Sequence, residues 1–233
     1  MMTSLHRRLQ PRDLLRVQMA DDPQISPDGT QVAWVHTWMD GATNTYRSVV
    51  CVTDATTNSV QRMTGAAGLN THPRWSPDGR SLAYLTTRPP DADAATPPQL
   101  CVMPATGGEP VVLTRLKHGA AEPVWSPDGR RIAFTTLIDP AVGLESIAST
   151  PDDDSDPYAR FNRDVHIARR RRWKMDGFGC LGELRRAVGL AEVLEGRATA
   201  TALVAGGDYD LHTPVWSPDG LWLAAVGNLD VDA

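Results

Sequence analysis

Apolar residues along this chain fall in short runs, which are separated by polar segments rich in proline, glycine and aspartate. Representative runs are Val32–Val35, Leu82–Leu85, Ile132–Phe134 and Leu221–Val226. Consecutive apolar positions place nonpolar side chains on both faces of an extended segment, which is typical of a strand in a sheet covered on both sides. The pattern therefore predicts many short strands. No apolar run approaches the length of about 18 residues that a membrane-spanning helix needs.

One five-residue motif, Trp-Ser-Pro-Asp-Gly, organises these runs. It occupies Trp75–Gly79, Trp125–Gly129 and Trp216–Gly220, and Ile25–Gly29 is a fourth copy with Ile in place of Trp. Proline favours the second position of a tight turn, aspartate bonds to nearby backbone, and glycine accepts a positive φ. Each copy is therefore predicted to be a turn between two antiparallel strands, with the tryptophan in the core.

The spacing of the motif predicts a repeat fold. Ser26, Ser76 and Ser126 follow one another at intervals of 50 residues, whereas the interval to Ser217 is longer. Two further apolar runs follow the turn in each of the first two intervals, and four antiparallel strands per repeat are the pattern of a β-propeller. The predicted fold class is all-β: an incomplete β-propeller of four-stranded antiparallel blades, with about three and a half blades.

The predicted organisation is an N-terminal segment, residues 1–22, followed by a partial propeller, residues 23–233. The blades are placed at about residues 23–66, 72–116, 122–206 and 213–233; the third contains an insertion at 139–182, and the fourth is expected to be truncated. Two segments are ambiguous. Pro11–Ala20 fits one or two helical turns, and Gly182–Leu194 has apolar positions that fit a helix as well as a strand.

Composition and charge narrow the classes of function. The net charge of −5 argues against a protein that binds nucleic acid or anionic membrane surfaces in general. The three cysteines are far apart and show no metal-binding or disulfide pattern, which fits a reducing compartment. The N-terminal residues lack the apolar core of a secretory signal. We therefore expect a cytoplasmic protein with no nucleic-acid partner and no membrane association.

The motif copies and three further segments resemble one enzyme family. The segments are Asp21–Gly29, the region Arg169–Gly182 with its Asp-Gly-Phe-Gly sequence, and Gly206–Asp210 before the last motif. Together they are similar to the propeller of the prolyl oligopeptidase family of serine peptidases, in its acylaminoacyl-peptidase and dipeptidyl-peptidase branch. The resemblance implies a propeller that screens peptide substrates by size and caps a C-terminal α/β-hydrolase domain with a Ser-Asp-His triad.

This sequence departs from that family at the catalytic machinery. The nucleophile of an α/β-hydrolase lies in a Gly-x-Ser-x-Gly turn, and the chain contains no such pattern. In each motif the serine precedes proline, which has no backbone N–H to donate to an oxyanion. No catalytic residue is therefore assigned. The resemblance suggests only that Arg170 and Arg172 line the substrate tunnel.

For the remaining candidate residues, a structural role explains the sequence better than a functional site does. The six histidines are scattered, and His72 and His212 precede turns at similar places, which favours packing or loop roles. No metal site and no cofactor are predicted, because no pair of histidines has ligand spacing and Asp152–Asp156 lacks the pattern of a calcium loop. The basic run Arg169–Lys174 is a pattern that can bind nucleic acid, but the net negative charge of the whole chain argues against that partner.

The predicted function is therefore the substrate-gating propeller of a prolyl-oligopeptidase-type serine peptidase, with peptides as substrates and a hydrolase domain, missing from this sequence, as its partner. Two alternatives remain open. One is a TolB-like propeller that serves as a protein-binding scaffold, and the other is a non-functional gene remnant. Since an incomplete ring leaves sheet faces and edges uncovered, the isolated chain is also expected to self-associate.

Overall fold

The chain folds almost entirely into antiparallel β-sheets, as the sequence predicts. The computed structural model describes residues 8, 10–89, 95–145, 174–175, 179–194 and 197–228. These residues form sixteen strands and one short 3-10 helix. The strands are grouped into three four-stranded sheets and two pairs. The all-β class and the incomplete propeller of four-stranded blades are confirmed.

The first two sheets are built alike, each from four consecutive strands. A 3-10 helix, Pro11–Arg16, precedes the first sheet. The first sheet contains β1 (Gln18–Ile25), β2 (Gln31–Asp40), β3 (Thr45–Asp54) and β4 (Val60–Arg62) in that order. The second sheet contains β5 (Asn70–Trp75), β6 (Ser81–Thr86), β7 (Gln99–Pro104) and β8 (Val111–Val112).

The third sheet also has four strands, although a long segment separates its second and third strands in the sequence. Its order is β9 (Ala121–Trp125), β10 (Arg131–Ile138), β13 (Arg185–Leu194) and β14 (Arg197–Ala205). Between β10 and β13, the chain forms a separate hairpin of β11 (Lys174–Met175) and β12 (Gly179–Cys180). The predicted insertion therefore falls between the two middle strands of this sheet. A fourth, two-stranded sheet contains β15 (Asp210–Trp216) and β16 (Leu223–Asn228).

Two segments that were ambiguous in the sequence have definite structures. Helical turns extend only over Pro11–Arg16, and β1 begins at Gln18, so the first sheet starts within the segment assigned to residues 1–22. The segment that fits either a helix or a strand is a strand, Arg185–Leu194. It pairs with β10 on one side and β14 on the other, and this pairing outweighs the helical spacing of its apolar residues.

The four motif turns share one hydrogen-bonding pattern. The hydroxyls of Ser26, Ser76, Ser126 and Ser217 each donate to the aspartate two residues later, at 2.5–2.6 Å. Each hydroxyl also accepts a backbone N–H from the start of the next strand at 2.9 Å. Each motif glycine has a positive φ, from 69° to 74°. Serine, aspartate and glycine thus all serve the turn.

These hydrogen bonds hold the pKa of the turn aspartates below its ordinary value of 3.8. The serine hydroxyl has the largest effect, and the backbone N–H two residues beyond the aspartate is next. Because the pKa is lower in the folded state, the charged turns stabilise the fold at neutral pH. This stabilisation is lost as the pH falls through the lowered pKa.

Tryptophan side chains join each sheet to the sheet before it. The indole Nε1 of Trp75 donates to the carbonyl of Gln24 at 3.0 Å, and that of Trp125 donates to the carbonyl of Arg74 at 3.0 Å. Trp216 repeats the contact with Val124 at 3.2 Å. In every case the acceptor is the residue just before the motif of the preceding sheet, so the same contact stacks successive sheets.

The core lies between the sheets. One cluster packs the first sheet against the second and contains Ala33, Val50, Trp75 and Tyr84. A second cluster packs the second sheet against the third, around the fully buried Phe134. No helix in the described part of the chain is long and apolar enough to cross a bilayer.

Candidate functional site at the inner rim of the sheets

The innermost strand of each sheet contains the same backbone distortion. β1, β5, β9 and β15 pack against one another in succession, so they lie nearest the axis around which the sheets are arranged. In each strand the residue before a proline has a positive φ: Asp22 at 49°, His72 at 55°, Glu122 at 49° and Thr213 at 51°. We call these four residues the inner rim.

This conformation is costly for residues other than glycine. A proline further restricts the residue before it, so each rim residue is held in a sparsely populated state by its surroundings. Pro73, Pro123 and Pro214 are fully buried, and the pairing of the inner strand with its neighbour shifts register here in every sheet. The recurrent distortion thus places four polar side chains at equivalent positions in successive sheets.

Charged side chains at and beside the inner rim join neighbouring sheets. Arg74 of the second sheet forms an ion pair with Asp22 of the first, with 2.8 Å between Nη1 and Oδ2. The same Nη1 donates to the carbonyl of Pro73 at 2.7 Å. Asp22 accepts a further hydrogen bond from Gln24 Nε2 at 3.0 Å. Both bonds of Arg74 leave from Nη1, so its Nε and Nη2 have no acceptor within the described residues.

Glu122 joins the third sheet to the fourth through hydrogen bonds. Its Oε2 accepts the backbone N–H of Thr213 at 3.0 Å and the hydroxyl of Thr135 at 3.1 Å. The carboxylate therefore fixes the distorted backbone of the next inner strand.

His72 lies between these groups and is neutral at pH 7. Burial lowers the pKa of the imidazole, and the positive charge of Arg74 lowers it further. The carboxylates of Asp22 and Glu122 act in the opposite direction, with smaller effects. The ring Nδ1 is 3.1 Å from the hydroxyl of Thr71. A neutral imidazole can both donate and accept hydrogen bonds.

A cavity of about 350 Å³ opens beside this group. All but one of its lining residues are polar: Asp21, Asp22, Thr37, Thr71, His72 and Arg74, with Val35 as the apolar exception. Donors and acceptors are thus mixed in the lining, an arrangement suited to hydrogen bonding with a peptide backbone. Among the residues that the structure describes, no group of three or more His, Cys, Asp or Glu could hold a metal ion.

The inner rim is not among the candidate sites predicted from the sequence. Arg170 and Arg172, the suggested tunnel contacts, lie outside the described residues. His72 belongs to the rim, but His212 does not occupy the equivalent position, which is that of Thr213. The available signal was the residue before proline, three positions ahead of the motif's first residue in all four copies.

Comparisons with known proteins agree with this architecture. Residues 16–149, more than half of the chain, match the TolB beta propeller domain family, PD40. The uncomplexed acylaminoacyl peptidase of Pyrococcus horikoshii is similar in structure, with a TM-score of 0.59 at 13% identity. That match covers 89% of this chain and 28% of the peptidase.

A second similar structure is the beta-propeller domain of the Trilobed protease from Pyrococcus furiosus. It has a TM-score of 0.51 at 14% identity, and the match covers 87% of this chain and 47% of that domain's chain. No curated protein sequence matches this one. The chain spans less than a third of the length of the Pyrococcus horikoshii peptidase, and likeness at such low identity shows the fold alone. On the family match and the stacked four-stranded sheets, the chain belongs to the TolB beta-propeller domain family.

Proposed function

We propose that this chain is the substrate-gating propeller of a prolyl-oligopeptidase-type serine peptidase. The observation that carries the proposal is the inner rim, where polar side chains recur at equivalent strained positions near the axis. A peptide that approaches along the axis meets these groups first. The fold of an acylaminoacyl peptidase propeller supports the same role.

In this role the chain binds peptides and does not cleave them. The serine hydroxyls of the four motif turns are committed to hydrogen bonds with aspartates and backbone, and the sequence lacks the Gly-x-Ser-x-Gly turn of a nucleophile. Cleavage belongs to the α/β-hydrolase domain that the family resemblance implies as partner.

Arg74, next to the inner rim, is the group best placed to hold a peptide. It lines the cavity, and the ion pair with Asp22 orients its guanidinium while Nε and Nη2 keep their protons for a ligand. Peptide carbonyl oxygens and a terminal carboxylate are suitable acceptors. Hydrogen bonds from a charged donor are stronger than those between neutral groups.

Replacing Arg74 by glutamine is expected to weaken peptide binding at least about tenfold, because a bond from a charged donor contributes about 1.5–3 kcal/mol. The probe is an N-acetylated tetra-alanine peptide with a fluorophore at its C-terminal end, titrated against the full chain by fluorescence anisotropy. Arg80→Gln is the matched control, because Arg80 is exposed in the motif turn of the same sheet. Equal affinity of the two variants, or no peptide binding by the wild-type chain, would contradict the proposal.

The second candidate function is a protein-binding scaffold. It is favoured by the exposed apolar residues of the last sheet, among them Leu221 and Trp222, which are 77% and 74% exposed. A scaffold of this kind binds folded partners through its sheets and has no need of the inner rim. Peptide binding that depends on Arg74 therefore separates the two functions.

A further inference from the structure

Another cavity, of about 310 Å³, opens beside the loop that joins the first sheet to the second. Loop residues between Met63 and Asn70 line it, together with Tyr84, Thr86 and Arg88 in and just after β6. We call it the loop cavity. It shares no lining residue with the cavity beside the inner rim. Its volume lies in the range of about 300–1,000 Å³ that is typical of small-molecule sites.

The loop cavity is lined by buried hydroxyl groups that have no acceptor. Thr64 is 9% exposed, and Tyr84 and Thr86 are each 3% exposed. The hydroxyl oxygens of Thr64 and Thr86 accept the backbone N–H groups of Val50 and Arg88, at 3.0 Å and 3.2 Å. None of the three hydroxyls donates its proton to a residue that the structure describes. Buried donors are rarely left unpaired, so their grouping around one cavity indicates a partner inside it.

The backbone of the loop also presents donors rather than acceptors. Several of its carbonyls already accept hydrogen bonds: those of Thr64, Gly65, Ala67 and Gly68. The donors are side-chain nitrogens of Arg62, Asn70 and Arg47 and the backbone N–H of Ser48. The N–H groups of the same loop residues donate to no acceptor in the described ranges. The loop therefore has hydrogen-bond donors available beside the cavity.

The charge around the loop cavity favours an anion. Arg88 lines the cavity, and no aspartate or glutamate is among the lining residues. Arg47 and Arg62 lie against the loop through their bonds to its carbonyls, at 2.6 Å and 3.0 Å. One acceptor accompanies these groups. Asn70 is 5% exposed and its Nδ2 donates to two carbonyls, whereas its Oδ1 accepts no hydrogen bond from the described residues.

A single bridging water is too small to fill this space. A water molecule takes about 30 Å³ of liquid volume, and the loop cavity is several times larger. Burial raises the pKa of Tyr84, so its hydroxyl keeps the proton and acts as a donor at neutral pH. The cavity therefore has the size, the excess of donors and the positive charge that suit an organic anion.

We propose that the loop cavity binds a small organic carboxylate that also carries one hydroxyl or N–H donor. The buried hydroxyls and the loop N–H groups are the donors for its carboxylate oxygens, and Arg88 supplies the opposite charge. The Oδ1 of Asn70 accepts the ligand's own donor. This site is separate from the inner rim, and peptide binding through Arg74 does not depend on it.

The test is a calorimetric titration of the full chain with two acids, lactate and para-hydroxybenzoate. Each acid carries a carboxylate and a hydroxyl, and the two differ in size. The matched controls are lactamide and para-hydroxybenzamide, which keep the shape and lose the charge. We expect saturable binding of at least one acid. Its amide is expected to bind at least about tenfold more weakly, because hydrogen bonds to a charged group are the stronger ones.

Tyr84→Phe tests the buried hydroxyl. It is expected to weaken binding of the acid about tenfold, because it removes one donor to the carboxylate. It is also expected to leave the urea midpoint of the unliganded chain unchanged, since the hydroxyl has no partner among the described residues. Tyr46→Phe is the matched control at a tyrosine that is 54% exposed, and its affinity is expected to equal that of the wild type.

Four results would overturn the proposal. They are no saturable binding of either acid, an amide that binds as tightly as its acid, equal affinity of Tyr84→Phe and Tyr46→Phe, and a lowered urea midpoint for unliganded Tyr84→Phe. The last result would show that the hydroxyl already has a partner without the ligand. None of these outcomes bears on the Arg74 titration, so the two proposals fail separately.

Discussion

Replacing Trp75 by alanine is expected to lower the free energy of unfolding by about 3–5 kcal/mol, the usual cost of removing a large aromatic side chain from a core. Trp75 is only 9% exposed and packs with residues of both the first and second sheets. Its indole also donates to the carbonyl of Gln24. The change therefore opens a cavity and leaves a carbonyl of the preceding sheet without its partner.

Two further variants show how much of this loss of stability comes from the hydrogen bond and from the burial of the ring. Trp75→Phe keeps one six-membered aromatic ring but removes the N–H and part of the ring volume, so it is expected to cost more than the about 1 kcal/mol of the hydrogen bond and less than Trp75→Ala. Trp222→Ala changes a tryptophan that is 74% exposed and is expected to stay within about 0.5 kcal/mol of the wild type. Urea unfolding followed by circular dichroism measures all three. If Trp75→Ala and Trp222→Ala were equally mild, the tryptophans of the motif would not be joining the sheets.

Replacing Phe134 by alanine is the second change with a large expected effect, about 3–5 kcal/mol of unfolding free energy. Phe134 is fully buried and lies across from Gly189 in the third sheet. A Cβ on Gly189 would lie 2.6 Å from the phenylalanine ring, so glycine leaves room for the aromatic side chain. Gly189→Ala is accordingly expected to cost about 1–3 kcal/mol through overpacking.

The double variant tests the contact itself. Removal of the phenylalanine ring removes the clash, so the costs of Phe134→Ala and Gly189→Ala together are expected to be less than the sum of the single costs. Gly65→Ala is the control, because a Cβ at Gly65 meets nothing within 4 Å and its φ is not positive. Strict additivity of the two costs would show that the glycine is not there to accommodate the ring.

The part of the fold that could be predicted from the sequence is the part set by local chemistry. Proline, aspartate and glycine specify the four turns, and the serine hydroxyl completes each turn within six residues of chain. The equal spacing of the first three turns then implies a repeat of similar sheets. Whether residues 182–194 form a helix or a strand could not be predicted locally. The segment is a strand because it pairs with residues distant in sequence, as Ala191 does with Ile132.

The candidate site could not be predicted for the same reason. A positive φ at a non-glycine residue before proline runs against local preference, so the recurring residue before proline marks the position but not its conformation. The ion pair of Asp22 and Arg74 joins residues of different sheets. Only the stacking of the sheets brings them together, and that stacking also places Arg74 in the lining of the cavity.

Hydrogen exchange of the indole N–H groups, observed by NMR, tests the central claim most directly: the motif tryptophans bond each sheet to the one before it. The account predicts slow exchange for Trp75, Trp125 and Trp216, whose indoles donate to Gln24, Arg74 and Val124, and fast exchange for the exposed Trp222. If the three motif tryptophans exchanged as fast as Trp222, the sheets would not be stacked through these contacts.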